Sequence, residues 1–288
     1  SRPMPEIINP REHDLGGFKV RRALPHASRR RIGPFVFFDH MGPHTFAPGE
    51  GVAVRPHPHI GLATVTWLWE GCIRHRDSAG SVQDIQPGDV NWMIAGSGIV
   101  HSERSPESLQ DRAHPIHGLQ TWIALPVEQA EMAPAFEHHP ASSLPRLVRD
   151  GVDLTCVAGH GFGMRSPVSV QSDTLYVAIE MQDGAELEIP PEHVERALYL
   201  VEGEAELDGM PLPPWALVVL DEGSLPRLRA QGRARLMLCG GAPLGPRFVW
   251  WNFVASSRER IEQAKQDWAE GRFAKVPGES EFIPLPER

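Results

Sequence analysis

Residues 55–71 have the sequence RPHPHIGLATVTWLWEG, in which two histidines alternate with two prolines ahead of a run rich in β-branched and aromatic residues. Such a run is typical of a buried β-strand. Proline donates no hydrogen bond to a sheet ladder, so Pro56 and Pro58 predict an edge strand or a strand mouth. Because residues two apart in a strand point to the same face, His57 and His59 are predicted to project side by side.

The same alternation of short apolar runs and turn residues continues along the whole chain. Its 288 residues include 28 prolines and 27 glycines, which separate the runs at short intervals. Examples are FVFFDH (35–40), DVNWMIAG (89–96) and LQTWIALP (119–126). Many short strands between Gly/Pro turns predict an all-β sandwich or barrel.

One segment, residues 256–271 (SSRERIEQAKQDWAEG), instead has the pattern of a helix. Ser256 with Glu259 three residues later forms a possible capping box, and Gly271 is placed to close the last turn. The apolar stripe between them is narrow, so this helix is expected to lie on the surface of a barrel.

A faint internal repeat suggests two copies of one β unit. Residues 63–77 (ATVTWLWEGCIRHRD) resemble residues 196–209 (RALYLVEGEAELDG), and residues 86–103 align with residues 213–230. The copies lie roughly 130 residues apart and predict two similar barrels, although two unrelated β domains would also produce so weak a likeness.

Composition excludes several classes of function. The formal net charge of −9 argues against direct nucleic-acid binding, and the short basic run Arg29–Arg31 favours a solvated loop over a binding patch. We find no apolar stretch long enough for a membrane helix and no secretory signal pattern. Three dispersed cysteines predict reduced, buried thiols, and we therefore expect a cytoplasmic protein.

A second short motif repeats the spacing of the first. In AGSGIVHSER (95–104), His101 and Glu103 are again two residues apart. If this strand lies beside the strand of His57 and His59, three neutral imidazoles and one carboxylate converge. Such a nitrogen and oxygen set suits a first-row divalent metal and leaves two octahedral positions open. Either pair alone is more typical of a surface loop than of a metal site.

The neighbouring residues carry further expectations. If the strand after His59 continues without interruption, Gly61 and Ala63 leave space beside the metal and Trp67 packs farther along the same face. His75 stands between two arginines and is expected to be exposed, whereas His117 is a candidate partner of a metal ligand.

Together the motifs resemble the pirin family of the cupin superfamily, over nearly the whole chain. The segments that carry the resemblance are RPHPHIGLATVTWLWEG, AGSGIVHSE, HGLQTWIALP and GPFVFFDHMGP (33–43). The resemblance implies an all-β bicupin, with two β-barrel (jelly-roll) domains packed face to face and a short C-terminal α-helix. The expected domains are a metal-binding barrel over 1–140, a metal-free barrel over 141–255, and the helix and tail over 256–288.

The second barrel is expected to be metal-free on the evidence of the repeat. Under that alignment Leu228 and Ala230 stand opposite His101 and Glu103, and no His-x-His precedes the second copy.

The resemblance also implies a ligand set. His57, His59, His101 and Glu103 would hold one divalent metal per chain, for which iron(II) is favoured and nickel, copper, zinc, manganese or cobalt are alternatives. The usual cupin pattern has a glutamate shortly after His-x-His. Residues 60–64 contain none here, and Glu103 supplies the carboxylate.

Two functions follow from the resemblance. The first is a quercetin 2,3-dioxygenase type of reaction on a small aromatic, flavonol-like substrate with dioxygen, in which Glu103 is the candidate base. Asp39 and Gln120 would line the mouth, unless Asp39 is a turn carboxylate and Gln120 satisfies backbone groups. The second is a non-enzymatic, metal- or redox-dependent protein that binds a regulatory partner of the transcription-cofactor type. A monomer is favoured.

Overall fold

The computed structural model describes residues 5–15 and 17–287, and in these ranges the chain forms mostly strands. The strands before residue 140 are β1 (Glu6–Ile8), β2 (Arg11–Asp14), β3 (Lys19–Leu24), β4 (Phe35–Phe46), β5 (Ala53–His59), β6 (Leu62–Glu70), β7 (Ile73–Asp77), β8 (Val82–Ile85), β9 (Val90–Ile94), β10 (Ile99–Arg104), β11 (His114–Ala124) and β12 (Ala135–His139). The later strands are β13 (Arg146–Arg149), β14 (Val152–Gly161), β15 (Met164–Arg165), β16 (Thr174–Met181), β17 (Glu186–Glu188), β18 (Glu195–Leu207), β19 (Met210–Pro211), β20 (Leu217–Val219), β21 (Arg227–Gly241), β22 (Phe248–Trp250) and β23 (Phe253–Ala255). This predominance of strands confirms the all-β prediction.

Helices are few and short. Val127–Gln129 and Ala141–Ser143 each form a short 3₁₀ helix, and the α-helices are α1 (Glu107–Gln110), which the sequence did not predict, and α2 (Arg258–Ala269). The longer one has 12 residues, and among the described residues no helix combines the length and apolar character that crossing a bilayer requires.

The predicted C-terminal helix is present, but its predicted cap is one residue too early. Ser257 rather than Ser256 is the N-cap, with its side chain accepting the Arg260 N–H at 3.2 Å. Two adjacent serines are both chemically competent to cap, and the extended backbone at Ser257 (φ −134°, ψ 150°) decides between them. Gly271 follows with φ +72°, as expected of a helix end.

The chain divides into two compact units. Unit 1 comprises Ser1–Arg11, Arg21–Phe38 and Ser142–Leu244, and unit 2 comprises Glu12–Val20, Asp39–Ala141 and Gly245–Arg288, as far as these residues are described. This division is less continuous than the predicted boundaries at 140 and 255.

Unit 1 is built on the largest sheet. Seven strands follow the order β1–β20–β18–β21–β16–β14–β13. Three shorter strands pair outside this order: β15 with β14, β17 with β21 and β19 with β18. Its apolar core includes Leu154, Val177, Leu198, Leu228 and Leu236.

Residues 21–38 join unit 1 through specific contacts. The ring of Phe38 lies 4.8 Å from that of Tyr199, and the Gly33 N–H donates to Glu195 at 2.7 Å. Pairings between residues more than 150 positions apart leave no local pattern in the sequence. The predicted domain boundaries therefore stay a prediction.

Unit 2 contains a four-stranded sheet in the order β5–β10–β7–β8 and most of a seven-stranded sheet in the order β12–β9–β6–β11–β4–β3–β2. Strand β5 lies at the edge of the smaller sheet, as its two prolines predict. Apolar side chains that pack together in this unit include Phe18, Met41, Phe46, Leu68 and Ile116.

The C-terminal residues also belong to unit 2, for a clear physical reason. Phe253 of β23 and Ile261 of α2 are buried in one apolar cluster with Ile60, which directly follows His59. The helix therefore supports the end of β5.

Gly61 turns the chain from one sheet of unit 2 into the other. Its φ is +73°, and a Cβ there would lie 1.9 Å from the carbonyl oxygen of Val254. The prediction of an uninterrupted strand from His59 to Trp67 is therefore wrong. Strand β5 ends at His59 and β6 begins at Leu62 in the other sheet.

Candidate metal centre

The two histidine motifs lie on neighbouring strands. Strands β5 and β10 pair antiparallel, with His101 opposite His57 and Ile99 opposite His59. The register shifts between His101 and Glu103, which places Glu103 opposite Val54. The adjacency on which the predicted site depends is thus present. The three histidines are 6% (His57), 2% (His59) and 1% (His101) exposed.

Backbone carbonyls orient two of the imidazoles. Nδ1 of His57 donates to the carbonyl of Arg55 at 2.8 Å, and Nδ1 of His59 donates to the carbonyl of Asn252 at 3.2 Å. A carbonyl oxygen only accepts hydrogen bonds, so each neutral ring carries its proton on Nδ1. The lone pair of each ring is therefore on Nε2.

A chain of side chains orients the third imidazole. Asp77 accepts the N–H groups of Ala79 and Ser81 on Oδ1, and its Oδ2 lies 2.6 Å from Nε2 of His75. Nε2 of His75 must donate to this carboxylate, which leaves Nδ1 of His75 as an acceptor. That atom is 3.4 Å from Nδ1 of His101, so His101 donates and also keeps its lone pair on Nε2.

Strand β7 carries both His75 and Asp77. The prediction that His75 is exposed is wrong. His75 is 4% exposed and stacks on Phe136, with ring centroids 4.2 Å apart. The flanking arginines suggested a surface, but Arg74 points the other way and pairs with Asp84 on β8. A signal was available, because His75 and Asp77 have the same two-residue spacing as the ligand pairs.

The three imidazoles can hold a metal ion. One nitrogen from each lies within 4.8 Å of the others, and the Nε2 atoms of His59 and His101 are 3.1 Å apart. Lone pairs that face one another at this distance repel, and a shared cation would remove the repulsion. Burial lowers the pKa of His57 to about 4 and lowers the pKa values of His59 and His101 well below the usual value. All three are therefore in the neutral form that metals bind.

Glu103 lies beside this group. Its Oε1 is 3.9 Å from Nε2 of His101, and Nε2 of Gln120 donates to its two oxygens at 3.0 and 2.8 Å. The same Gln120 nitrogen is 3.2 Å from Oγ1 of Thr66. Burial raises the pKa of the Glu103 carboxyl, and the hydrogen bond from Gln120 opposes that shift. Gln120 thus positions the carboxylate next to the imidazoles.

The remaining predicted residues have other surroundings. Asp39 is 3% exposed in β4, so it does not face bulk solvent, and its contact with a substrate stays a prediction. His117 is buried, and its Nε2 lies 2.9 Å from Nε2 of His40. The three cysteines are buried and free, as predicted.

A cavity of about 420 Å³ lies behind the histidine strands. Its wall includes Pro56 and Val100, which alternate with His57 and His101 and so face away from the imidazoles. The C-terminal residues close it, and the Ile283 N–H donates to the Pro56 carbonyl at 2.8 Å. This cavity therefore belongs to the C-terminal segment rather than to the ligand cluster.

Comparison with known proteins places this sequence among the pirins. The pirin family model matches residues 17–123, and the model of the pirin C-terminal cupin domain matches residues 176–274. A pirin-like protein of Caulobacter vibrioides is 48% identical over 98% of this chain and 99% of its own length. A Pseudomonas aeruginosa protein, provisionally named a quercetin 2,3-dioxygenase, is 44% identical over 91% of this chain and 82% of its own length.

A solved structure supports the same relationship. The crystal structure of quercetin 2,3-dioxygenase from Acinetobacter baumannii is 37% identical, with a TM-score of 0.89 over 98% of this chain and 96% of that one. The bicupin fold is thereby confirmed. With both family models matched in order and the His-x-His and His-x-Glu strands paired, the chain belongs to the pirin family.

Proposed function

We propose that this chain is a quercetin 2,3-dioxygenase type of enzyme, with iron(II) bound by His57, His59, His101 and Glu103. The observation that carries the proposal is the convergence of three neutral Nε2 lone pairs beside one buried carboxylate. Support also comes from the Acinetobacter enzyme, which shares the fold over nearly the full length.

The ligand charges favour an anionic substrate. Three neutral imidazoles and one carboxylate leave a divalent ion with a net charge of about +1. A deprotonated flavonol would be attracted to that charge in a site screened from water. When bound, iron(II) supplies Lewis acidity toward the flavonol oxygen and redox reactivity toward dioxygen.

The chain's own residues would handle the proton and the orientation. Glu103 would accept the proton of the 3-hydroxyl group on a carboxylate oxygen, since it is the base in the ligand set. Gln120, which donates to both oxygens of Glu103, would hold that carboxylate in place and present its side chain to the substrate. Asp39 would lie on the substrate side of the same unit.

The test is turnover with a defined metal. Metal-free protein would be reloaded anaerobically with iron(II), and dioxygen uptake and carbon monoxide release would be measured with quercetin. We expect turnover in the unmodified chain and none in His101→Ala. A matched control is His26→Ala, which removes a histidine whose side chain bonds to Ser28.

A negative result would be informative. Full metal loading without turnover of any flavonol, with iron, nickel, copper, manganese, cobalt or zinc, would overturn the enzymatic proposal. The regulatory-partner hypothesis, the monomeric state and the cytoplasmic location stay predictions.

A further inference from the structure

A second group of metal-binding side chains lies in unit 1. His160 is near the end of β14, Asp173 immediately precedes β16, and His193 lies two residues before β18. One ligand atom from each lies within 4.8 Å of the others. The two imidazole centroids are 4.3 Å apart.

Both ring nitrogens of His193 face oxygen atoms. Its Nε2 lies 2.8 Å from the carbonyl oxygen of His160, and its Nδ1 lies 2.7 Å from Oδ2 of Asp173. Both partners are acceptors, whereas a neutral imidazole has one N–H to donate. With that proton on Nε2, the Nδ1 lone pair faces the Asp173 carboxylate directly. The His193 side chain is 0% exposed, so water does not separate the two groups. A metal ion at Nδ1 would relieve the repulsion between them.

The surrounding atoms suit a metal ion. Nε2 of His160 lies 3.0 Å from Oδ1 of Asp173, so a second imidazole approaches the same carboxylate from its other oxygen. An imidazole that donates its outer N–H to a backbone carbonyl is the usual arrangement of a metal-bound histidine.

The site would also be open to solvent on one side. The side chains of His160 and Asp173 are 30% and 37% exposed, whereas that of His193 is buried. Water can therefore complete the coordination of a metal held by three protein atoms.

We propose that His160, Asp173 and His193 bind a divalent transition metal of the zinc, cobalt or nickel class in the second barrel. Two imidazoles and one carboxylate form a ligand set typical of these ions. Because the ligands come from the margins of three strands, the ion would tie β14, β16 and β18 together and stabilise unit 1. This departs from the expected metal-free second barrel, which rested on the missing His-x-His motif and on Leu228 and Ala230 standing opposite His101 and Glu103 in the repeat.

The experiment counts metal ions per chain. Chelator-treated full-length protein would be titrated with zinc, and bound metal would be measured after gel filtration. We expect two equivalents in the unmodified chain, one in His59→Ala/His101→Ala and none when Asp173→Asn is added. Asp173→Asn alone should bind one. The control Asp183→Asn, which alters a carboxylate bonded to the Gly232 N–H, should still bind two.

Cobalt(II) gives an independent measurement in the double variant. Its visible absorption should appear with imidazole and carboxylate ligation and should vanish on adding Asp173→Asn. If the double variant folds and binds neither metal, the cation at His193 is a proton and the proposal is overturned. If the double variant does not fold, equal stoichiometry in Asp173→Asn and the unmodified chain overturns it instead. This test is independent of flavonol turnover.

Discussion

Replacing Asp77 by asparagine tests whether the chain from Asp77 through His75 orients His101. The amide can keep its oxygen toward the N–H groups of Ala79 and Ser81, which places NH₂ where Oδ2 met Nε2 of His75. His75 would then accept at Nε2 and carry its proton on Nδ1. His101 would have to accept at Nδ1 and carry its own proton on Nε2, the atom that faces the ligand cluster.

The magnitude follows from one hydrogen bond. To bind a metal, the variant must return His75 and His101 to their original tautomers. It then loses the buried hydrogen bond between the new amide and Nε2 of His75. A buried donor left without an acceptor costs about 1–3 kcal/mol. That energy corresponds to a loss of metal affinity of roughly 5- to 150-fold, which overlaps the roughly 10- to 100-fold range found for outer partners of metal-binding histidines.

The assay is an anaerobic competition titration of iron(II) against a coloured chelator. Both proteins would also carry Asp173→Asn, so that a single site is measured. The control is Asp84→Asn, which makes the same chemical change in a partly exposed pair with Arg74 and should leave the affinity unchanged. Unchanged affinity in a folded Asp77→Asn protein would refute the proposed tautomer chain.

Two further predictions concern the same cluster. Replacing Gln120 by leucine removes the donor to both oxygens of Glu103, and we expect turnover to fall about 10- to 100-fold with the fold retained, measured by dioxygen uptake. The pH dependence of stability follows from His57, whose pKa is lowered from 6.5 to about 4 by burial. Between pH 6.5 and pH 4 the unfolded chain binds a proton at this residue and the folded chain does not. The free energy of unfolding therefore has its full value above pH 6.5 and falls as the pH is lowered toward 4. The free energy of unfolding falls by about 3 kcal/mol because of His57. Urea unfolding of the metal-free protein measures it, and His57→Gln should show a shallower dependence on pH.

The two pairs of candidate ligands could be predicted because each pair depends only on residues close together in the sequence. The two-residue spacing of His57 with His59 and of His101 with Glu103 places each pair on one face wherever the segment is a strand. The prolines of β5 likewise predicted its edge position. The capping error at Ser256 shows the limit, because two adjacent serines differ in backbone conformation rather than in chemistry.

Long-range partners could not be predicted in this way. The carbonyl that orients His59 belongs to Asn252, 193 residues later, and the register between β5 and β10 contains a shift at Glu103. Neither contact leaves a periodic pattern. His75 was misjudged because its neighbours are arginines, although alternation along β7 turns those charges away from the imidazole.

The sequence by itself determined the all-β class, the pirin resemblance and the residues that offer ligands, because strand periodicity and turn chemistry act over a few residues. Only the tertiary structure decided which nitrogen of each imidazole is free and which segments belong to which unit. It also brought His160, Asp173 and His193 together. The physical reason is that hydrogen-bond direction and burial depend on partners distant in the chain, and sheet register sets those partners.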